Sequence, residues 1–305
     1  MSTHEYKSDK RNETILIYIN GEIVPRQEAK VSVFDSGFLL GDGVWEGIRY
    51  HNNHLVHKGD HFRRLFAGAK AIGLDIGKTK EELEKIILST LEANKMVSGI
   101  HIRLIVSRGL KKTPYQHPSV NVGGSTIVVI PEYKIASEDV IKNGISLGTV
   151  NIRRGTANTQ DPKLNTLSKL NCILACLEAS ELGYDEGLML DVNGFVSTCN
   201  STNFFIVRNG DVWTSTGEYC LNGVTRRNII RLCKENDIPV YEKNFYVEDC
   251  HISDEAFASG TFAGVIPVVE IDGNKLSGGK RGELTERLQR LYIEDIENLY
   301  PPHDG

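Results

Sequence analysis

The sequence predicts a mixed fold of helices and β-sheets, of the α+β or mixed α/β class, arranged in two domains. Alternating apolar runs typical of strands occur in both halves, and some flank the tight-turn pairs Asn20-Gly21 and Asn193-Gly194. Helical apolar patterns lie between these strands. The length of 305 residues suits two medium domains or one large one. These features predict hairpins and two helices in the first half of the chain, and a mixed sheet with covering helices in the second half.

The predicted N-terminal domain spans residues 14–133. Its strands and helices are expected at residues 15–19, 22–24, 30–35, 60–72, 79–96, 100–106 and 126–130. The second helix begins with a capping box, in which Thr79 caps the first turn and Glu82 completes the box three residues later. Residues 1–13 are polar and lack the apolar core of a secretory signal, so we expect them to form a disordered tail.

A polar segment without apolar periodicity, residues 134–143, is predicted to link the two domains. The C-terminal domain then covers residues 144–305. Its elements are expected at residues 145–150, 168–182, 186–191, 195–197, 203–207, 224–235, 256–258, 265–271 and 283–299. The long helix at 168–182 ends where Gly183 can adopt a left-handed backbone conformation.

Composition excludes several classes of function. The net charge of −5 offers no basic footprint for nucleic acid, and no apolar run reaches the roughly 20 residues of a membrane span. The six cysteines form no C-x-x-C pair with the spacing of a metal site. We therefore expect a protein that uses no metal, in the reducing cytoplasm.

Three sets of residues could carry chemistry. Gly223-Val224-Thr225 opens a helix, where free backbone N–H groups bind phosphate, and Ser259-Gly260-Thr261 and Arg64 could add to such a site. Lys163 and Lys169 bracket a polar turn before the long helix, and a lysine at such a junction beside a phosphate site suits a Schiff-base enzyme. The arginines at 103 and 108 could bind a carboxylate, on opposite faces if their strand is regular.

Several motifs occur together along the chain, in a fixed order. They are VSVFD (31–35), GDGVWEGIR (41–49), HFRRL (61–65), GYDEG (183–187), LDVNG (190–194), GVTR (223–226) and SGT (259–261). This ordered set, spanning about residues 18–291, resembles the class IV aminotransferases, the pyridoxal 5′-phosphate (PLP) enzymes of fold type IV. That family includes branched-chain amino acid aminotransferases, D-amino acid aminotransferases and aminodeoxychorismate lyases.

The resemblance implies a two-domain PLP fold type IV, in which a small α/β domain and a larger domain of mixed sheet or barrel with helices hold PLP between them, usually in a homodimer. It assigns cofactor binding to six residues: Arg64, Thr198, Asn203, Val224, Thr225 and Thr261. It assigns substrate contacts to six more: Trp45, Arg49, His101, Arg103, Arg108 and Phe262. Arg103 matches the branched-chain enzymes, whereas the SRG motif at 107–109 matches the D-amino acid and lyase branches.

The chain departs from the family pattern at two positions. A gapless match of the long helix puts Leu164 or Asn165 where the family has its Schiff-base lysine. Lys169 is our first choice to replace it, from the first helical turn, and Lys163 is the second; a protein without a catalytic lysine is the third alternative. The second departure is Thr198, where the family has the glutamate that keeps the pyridine nitrogen protonated. A hydroxyl cannot hold that proton as a carboxylate does, unless a neighbouring acid substitutes.

The leading interpretation is a PLP-dependent aminotransferase that takes its amino group from an amino acid, of branched-chain or D-amino acid type, and gives it to a 2-oxo acid. A PLP lyase of the aminodeoxychorismate-lyase type is an alternative, because the altered pyridine partner weakens the ring as an electron sink. The other alternative is a homologue that binds PLP without catalysis. Amino acids and 2-oxo acids are the expected partners, with no nucleic acid and no membrane.

Overall fold

The computed structural model of this protein describes Thr3 and residues 5–302, and the chain divides into two units. The N-terminal unit contains Ser8–Ile135, Leu164–Lys169 and Tyr300–Gly305. The C-terminal unit contains Met1–Lys7, Ala136–Lys163 and Leu170–Leu299. The short segment Leu164–Lys169 therefore belongs to a different unit from the residues on either side of it.

The N-terminal unit is built on one antiparallel sheet. Its elements are a 3-10 helix at Lys10–Glu13, β1 (Leu16–Ile19), β2 (Glu22–Pro25), α1 (Ser36–Leu40), β3 (Gly43–His51), β4 (His54–Leu55), α2 (Lys58–Ala71), α3 (Lys80–Ala93), β5 (Ile100–Ser107), β6 (Leu110–Lys111), a 3-10 helix at Pro118–Val120, β7 (Asn121–Val122) and β8 (Thr126–Tyr133). Six strands form the main sheet in the order β2-β1-β8-β5-β3-β4, and β6 pairs with β7. Helices α2 and α3 pack on this sheet, α2 against β3 and α3 against β1 and β8.

Alternation along β5 shows why this sheet has two different faces. Ile100, Ile102 and Leu104 are buried in the core with α2 and α3, whereas His101 and Arg103 point to the other face. One face therefore belongs to the hydrophobic core. The other carries polar and charged side chains, among them His101 and Arg103.

The C-terminal unit contains a larger, mixed sheet. Its elements are α4 (Glu138–Asn143), β9 (Ile145–Thr149), α5 (Ala157–Gln160), α6 (Leu170–Glu181), β10 (Glu186–Leu190), β11 (Val196–Cys199), β12 (Asn203–Arg208), β13 (Asp211–Thr214), α7 (Val224–Glu235), β14 (Val240–Glu242), α8 (Val247–His251), β15 (Glu255–Gly260), β16 (Gly264–Ile271), β17 (Asn274–Lys275), a 3-10 helix at Ser277–Gly279 and α9 (Glu283–Leu299). The strand order is β11-β10-β9-β16-β15-β12-β13-β14, with β17 beside β16. Strand β9 is parallel to both neighbours, and β12 is antiparallel to β15.

The mixed fold class predicted from the sequence is confirmed, but four local predictions are corrected. Residues 30–35 do not form a strand, because Asp35 caps α1 by accepting a hydrogen bond from Gly37 N–H at 2.8 Å. Part of the predicted linker forms α4. The long helix begins at Leu170 rather than residue 168, so Lys169 lies just before it.

The N-terminal segment, predicted as a disordered tail over residues 1–13, contains ordered structure. Residues 1, 2 and 4 of that tail lie outside the described residues. Lys10–Glu13, by contrast, form a 3-10 helix whose first turn is capped by Asp9, and Thr3 is buried against the C-terminal unit to which it belongs. Within Thr3 and residues 5–302, no helix combines the length and apolar character needed to cross a membrane.

Candidate active site

In the C-terminal unit, the start of α7 lies beside the adjoining ends of β12 and β15. Asn203 at the start of β12 pairs in register with Ser259 near the end of β15, and its Nδ2 donates to the Leu221 carbonyl at 2.8 Å. This bond fixes the loop before α7. A Cβ on Gly223, the residue that precedes α7, would lie 2.2 Å from Asn203 Oδ1, so any larger residue requires Asn203 or the loop to shift.

The helix start itself is suited to an anion. Gly223 has no side chain to cap α7. The first two residues of the helix, Val224 and Thr225, are buried, and their backbone N–H groups have no acceptor within the helix because no turn precedes them. Two nearly fully buried hydroxyls, Thr202 Oγ1 and Ser259 Oγ, have no hydrogen-bond partner among the residues that the structure describes. Buried polar atoms normally have partners, so this pair leaves hydrogen-bonding capacity unused close to the start of β12 and the end of β15.

The turn between β15 and β16 adds two predicted site residues. Thr261 and Phe262 lie in this turn and are partly exposed, directly after Gly260. A Cβ on Gly260 would lie 3.3 Å from Thr202 Cγ2, so the turn runs close to the residue that precedes β12. Asn203 thus lies close to the residue that precedes α7, and the turn that contains Thr261 runs close to Thr202. The cofactor roles of Asn203, Val224, Thr225 and Thr261 stay predictions.

Thr198, at the predicted pyridine position, is buried on β11. Its hydroxyl donates a hydrogen bond to the Thr202 carbonyl at 2.6 Å. The hydroxyl proton is therefore committed to the backbone, and only lone pairs of the oxygen remain for a ligand.

Glu186 is a buried acid close to Thr198 in the fold, but it does not substitute for the missing glutamate. In the register of β10 and β11, Leu188 lies opposite Cys199 and Met189 lies opposite Thr198. Glu186 shares the face of Leu188, opposite to that of Thr198. Its carboxyl accepts hydrogen bonds from Ser201 Oγ at 3.0 Å and from Thr3 N–H at 2.9 Å, and burial raises its pKa.

In the N-terminal unit, Arg64 on α2 is held by Glu46 on β3. Arg64 Nε donates to Glu46 Oε1 at 2.8 Å and one terminal nitrogen donates to Oε2 at 2.6 Å. His61, one helical turn before Arg64, lies 2.7 Å from the same Oε2 through Nδ1. Sequence reasoning missed Glu46. Its signal was available, because period-two alternation places this carboxylate on the core face with Val44 and Ile48, where a charge needs a partner.

Four predicted substrate residues share the opposite face of the same sheet. Arg49 pairs in register with His101, and Gly47 pairs with Arg103. The Arg103 guanidinium carbon lies 3.9 Å from the centre of the Trp45 ring. A Cβ on Gly47 would approach His101 Nε2 to 3.0 Å, so the glycine leaves room for the imidazole. Trp45, Arg49, His101 and Arg103 therefore form one cationic and aromatic face.

Arg108 does not join that face, and the predicted substrate role is corrected. Its Nε and one terminal nitrogen donate to Asp42 at 2.7 and 2.9 Å, and the terminal nitrogens also donate to the Gly73 and Ile72 carbonyls at 2.7 and 2.8 Å. These bonds use the guanidinium to cap the end of α2 and hold Asp42. Such an arrangement is structural, and it leaves little capacity for a substrate carboxylate.

The two candidate lysines lie in different units. Lys163 is exposed in the C-terminal unit, in a turn where its N–H donates to Asp161 at 2.9 Å. Lys169 is half-buried in the N-terminal unit, with Nζ 5.6 Å from the centre of the Trp45 ring. The segment before Lys169 is fixed to β3, because Leu167 N–H donates to the Gly43 carbonyl at 2.9 Å.

A family model described as "Amino-transferase class IV" matches residues 43–271. The chain belongs to the class IV aminotransferase family. Within this family it is 39% identical over 303 residues to a branched-chain-amino-acid aminotransferase-like protein of Arabidopsis thaliana, covering 95% of this chain and 54% of the relative. It is 37% identical to a putative branched-chain-amino-acid aminotransferase of Methanocaldococcus jannaschii, covering 93% and 97%, and 32% identical to a D-alanine aminotransferase of Staphylococcus haemolyticus, covering 92% and 98%. The chain spans about half the length of the plant relatives.

Solved structures of aminotransferases share the fold. The branched-chain aminotransferase of Thermoproteus uzoniensis with norvaline has a TM-score of 0.83 and 31% identity, covering 95% of this chain and 96% of that one. An aminotransferase from Brucella abortus bound to the cofactor PLP has a TM-score of 0.81 and 25% identity, covering 92% and 98%. The predicted family and its PLP fold type IV are thereby confirmed.

The residues of this chain fit the phosphate of PLP. The uncapped start of α7 and the buried hydroxyls of Thr202 and Ser259, which have no partners among the described residues, are hydrogen-bonding groups suited to a phosphate.

Proposed function

We propose that this protein is a PLP-dependent aminotransferase that moves the amino group of an amino acid to a 2-oxo acid. Membership of the class IV family supports the reaction type. The observation that carries cofactor binding is the pair of buried hydroxyls, Thr202 Oγ1 and Ser259 Oγ, that lack a partner among the described residues beside the start of α7. The named relatives are aminotransferases, so they give no support to the lyase alternative.

In this proposal each residue has a defined task. Val224 and Thr225 offer backbone N–H groups to the phosphate, Thr261 lies in the second phosphate turn, and Arg64 supplies the positive charge. When bound, PLP supplies an aldehyde that bonds amines and a ring that withdraws electrons. The amine of Lys169 would take a proton from the substrate Cα as general base and then, as general acid, deliver it to the carbon that came from the aldehyde of the cofactor.

Lys169 is preferred over Lys163 because of its surroundings. Lys169 follows a segment fixed to β3 and lies near the Trp45 ring, in the unit that also carries Arg49, His101 and Arg103. Lys163 is exposed and shares none of those contacts. A lysine that is half-buried beside an aromatic ring is better placed for proton transfer than one surrounded by water.

The substrate in this proposal is an amino acid of the branched-chain or D-amino acid type. Arg103, stacked on Trp45, is the carboxylate ligand, and Arg49 and His101 lie on the same face. In this proposal Arg108 is not part of the substrate site, since Asp42 and the carbonyls of Ile72 and Gly73 occupy its donors. The SRG motif at 107–109 therefore gives no support to the D-amino acid branch.

A second candidate function is PLP binding without a covalent bond, and Asn165 favours it. This residue lies at or next to the family position of the lysine, is buried, and donates through Nδ2 to the Trp45 carbonyl at 2.7 Å. Its Oδ1 has no partner among the described residues. An amide cannot bond an aldehyde reversibly as an amine does, so this alternative predicts a bound cofactor that no lysine holds.

One experiment separates these functions. The purified full chain is saturated with PLP, reduced with borohydride and digested, and the modified lysine is located by mass spectrometry. Lys169→Met should abolish the label and amino transfer, whereas Lys163→Met, which removes the same charge, should retain both. A label on Lys163 would reverse the choice of lysine. PLP that binds with no labelled lysine would favour the second candidate, and an absence of PLP binding would contradict both.

A homodimer also belongs to this proposal. Leu170, Ile173, Leu174 and Leu177 on α6 are exposed by 42 to 64%, and their spacing makes one apolar stripe. A second copy of the chain is the proposed partner. Light scattering should give twice the chain mass of 33.9 kDa, and Leu177→Glu should lower it. Ile252→Glu, at an equally exposed apolar residue outside α6, should leave the mass unchanged.

We place the protein in the cytoplasm. All six cysteines are free thiols, and four of them are buried. This use of cysteine suits a reducing compartment, because buried thiols are not needed as cross-links. Fractionation of source cells with an antibody against the chain tests the location, and recovery with an oxidising compartment would contradict it.

A further inference from the structure

The leading segment of the chain, Thr3 and residues 5–7, is attached to the C-terminal unit. Ser137, the residue before α4, donates its N–H to the Glu5 carbonyl at 3.1 Å, and Thr3 is only 1% exposed. The leading segment lies outside the part of the chain that the family model matches. Its contacts therefore add residues to this unit that the matched region does not contain.

Thr3 bonds a buried carboxyl group, that of Glu186 at the start of β10. The N–H of Thr3 donates to Glu186 Oε1 at 2.9 Å, and the Thr3 hydroxyl donates to the same oxygen. The other oxygen, Oε2, accepts from Ser201 Oγ at 3.0 Å, and the hydroxyls of Thr3 and Ser201 lie 3.2 Å apart. Because Glu186 is buried, these bonds provide the partners that its carboxyl group needs, and they fix Ser201 relative to Thr3.

Ser201 lies in the turn of residues 199–202, which leads from β11 into β12. In this turn Asn200 N–H donates to the Gly187 carbonyl at 3.0 Å, and Gly187 N–H donates to Asn200 Oδ1 at 2.7 Å. Gly187 follows Glu186, which accepts from Ser201. Two successive residues of β10 therefore hold two successive residues of the turn.

The last residue of this turn, Thr202, carries one of the two hydroxyls on which the proposed phosphate binding depends. Its Oγ1 is buried and has no hydrogen-bond partner among the residues that the structure describes. The Thr202 carbonyl accepts from Cys199 N–H at 2.9 Å and from Thr198 Oγ1 at 2.6 Å, so the backbone of Thr202 is fixed within the turn. A hydroxyl on a fixed backbone loses less freedom when it binds an anion.

We propose that Glu186 and Thr3 are positioning residues for the phosphate of the cofactor: through Ser201 they fix the turn of residues 199–202, and with it the hydroxyl of Thr202. This inference rests on the proposed binding of PLP. All four residues belong to the C-terminal unit, and Glu186, Thr3 and Ser201 are assigned no contact with cofactor or substrate. Their effect should appear only for ligands that carry a phosphate group.

Ser201→Ala tests the proposal at an exposed residue, where a smaller side chain is easily accommodated. The variant keeps the Thr202 hydroxyl but removes the donor to Glu186 Oε2. We expect the affinity for PLP to fall about fivefold, and the affinity for pyridoxal, which lacks the phosphate, to change by less than about twofold. Both are measured by equilibrium titration of the full chain.

Two variants serve as controls for this measurement. Ser201→Thr retains a hydroxyl at the same position, so it should bind PLP within about twofold of wild type. Ser180→Ala removes a hydroxyl from an exposed serine on α6 in the same unit and should leave both affinities unchanged. A fall of PLP affinity in Ser201→Thr equal to that in Ser201→Ala would contradict a role for the hydroxyl.

A double variant tests whether the effect passes through Thr202. Thr202→Val removes the hydroxyl to be positioned and should itself lower PLP affinity. Adding Ser201→Ala to Thr202→Val should then cause little further loss. If the two losses multiply instead, Ser201 acts independently of the Thr202 hydroxyl, and the inference is overturned.

The part played by the leading segment is tested by Thr3→Val. This change retains the shape and the backbone N–H of Thr3 but removes the hydroxyl that bonds Glu186. PLP affinity should fall by a smaller factor than in Ser201→Ala, because one of the two Thr3 donors remains, and Thr3→Ser should restore it. Wild-type PLP affinity in Thr3→Val would overturn the role of the leading segment.

The outcomes separate this inference from the proposed function. A wild-type chain that binds neither PLP nor pyridoxal contradicts cofactor binding itself. A wild-type chain that prefers PLP to pyridoxal, with a Ser201→Ala variant that binds PLP equally or more tightly, overturns only the positioning role.

Discussion

Asn165 and Trp45 are joined by a pair of hydrogen bonds. Trp45 N–H donates to the Asn165 carbonyl at 3.0 Å, and Asn165 Nδ2 donates to the Trp45 carbonyl at 2.7 Å. The indole N–H of Trp45 also donates to the Thr166 carbonyl at 3.1 Å. These bonds explain why the short segment that precedes Lys169 belongs to the N-terminal unit, although its sequence neighbours belong to the other.

Replacing Asn165 should therefore reduce stability. In Asn165→Ala the Trp45 carbonyl loses its side-chain donor, and we expect a loss of about 1 to 2 kcal/mol in the free energy of unfolding. Urea denaturation measures this loss. Asn143→Ala, at an exposed asparagine at the end of α4, should change the free energy of unfolding by less than about 0.5 kcal/mol. Equal effects of the two changes would contradict a fixed segment.

Arg108 and Arg103 should respond differently to truncation. Arg108→Ala leaves the Asp42 carboxylate and the two carbonyls that follow α2 without their donor, so we expect a loss of about 3 kcal/mol in the free energy of unfolding. Arg103→Ala removes an exposed cation–π contact, for which we expect about 0.5 to 1 kcal/mol.

The kinetic effects of the two arginines should be reversed. Arg103→Ala should raise KM for the amino acid about tenfold, as expected for the loss of one charge-assisted hydrogen bond to a carboxylate. Arg108→Ala should leave the KM of the molecules that remain folded nearly unchanged. Steady-state kinetics below the unfolding temperature make this comparison, and a larger KM change for Arg108→Ala would restore it as a substrate residue.

The Asp42–Arg108 pair should make stability depend on pH in the acid range. Burial acts to raise the pKa of Asp42, but hydrogen bonds from Arg108 and Ser36 outweigh it, so the folded-state pKa lies below the usual value. The stabilisation is complete above the unfolded-state pKa of about 3.9 and is lost as the pH falls through the folded-state pKa. The stability difference between wild type and Asp42→Asn should thus be constant near neutral pH and shrink below about pH 3.9. A difference that grows on acidification would contradict this assignment.

Local patterns in the sequence predicted much of the fold. The capping box at Thr79 is present, and the alternating residues of β5 place Ile102 in the core and Arg103 on the other face. The predicted strand at residues 30–35 was wrong, because its alternating apolar residues do not pack into a hydrophobic core. Val31 and Val33 are 45% and 65% exposed, and Asp35, which ends the predicted strand, caps a helix instead.

The candidate site was predictable where the signal was local. The start of α7 could be read from Gly223-Val224-Thr225, since glycine and the helix pattern are adjacent in the sequence. The structural role of Arg108 could not be predicted from the sequence. Its partner Asp42 lies 66 residues away in the chain, and only the folded sheet brings the two together. Glu46 is an intermediate case. Its burial was predictable from the sequence, but its pairing with Arg64 depends on the packing of α2 on β3.

Gly223→Ala should weaken the binding of phosphate in particular. The new Cβ would lie 2.2 Å from Asn203 Oδ1, so either the loop before α7 shifts or the Asn203 amide turns away from the Leu221 carbonyl that it holds. We expect both changes to displace the N–H groups of Val224 and Thr225. We expect PLP affinity to fall at least tenfold by titration, with inorganic phosphate no longer competing and pyridoxal affinity nearly unchanged. Gly59→Ala is the control, because a Cβ there meets no atom within 4 Å. Equal PLP affinity in the two variants would show that the start of α7 does not bind the phosphate.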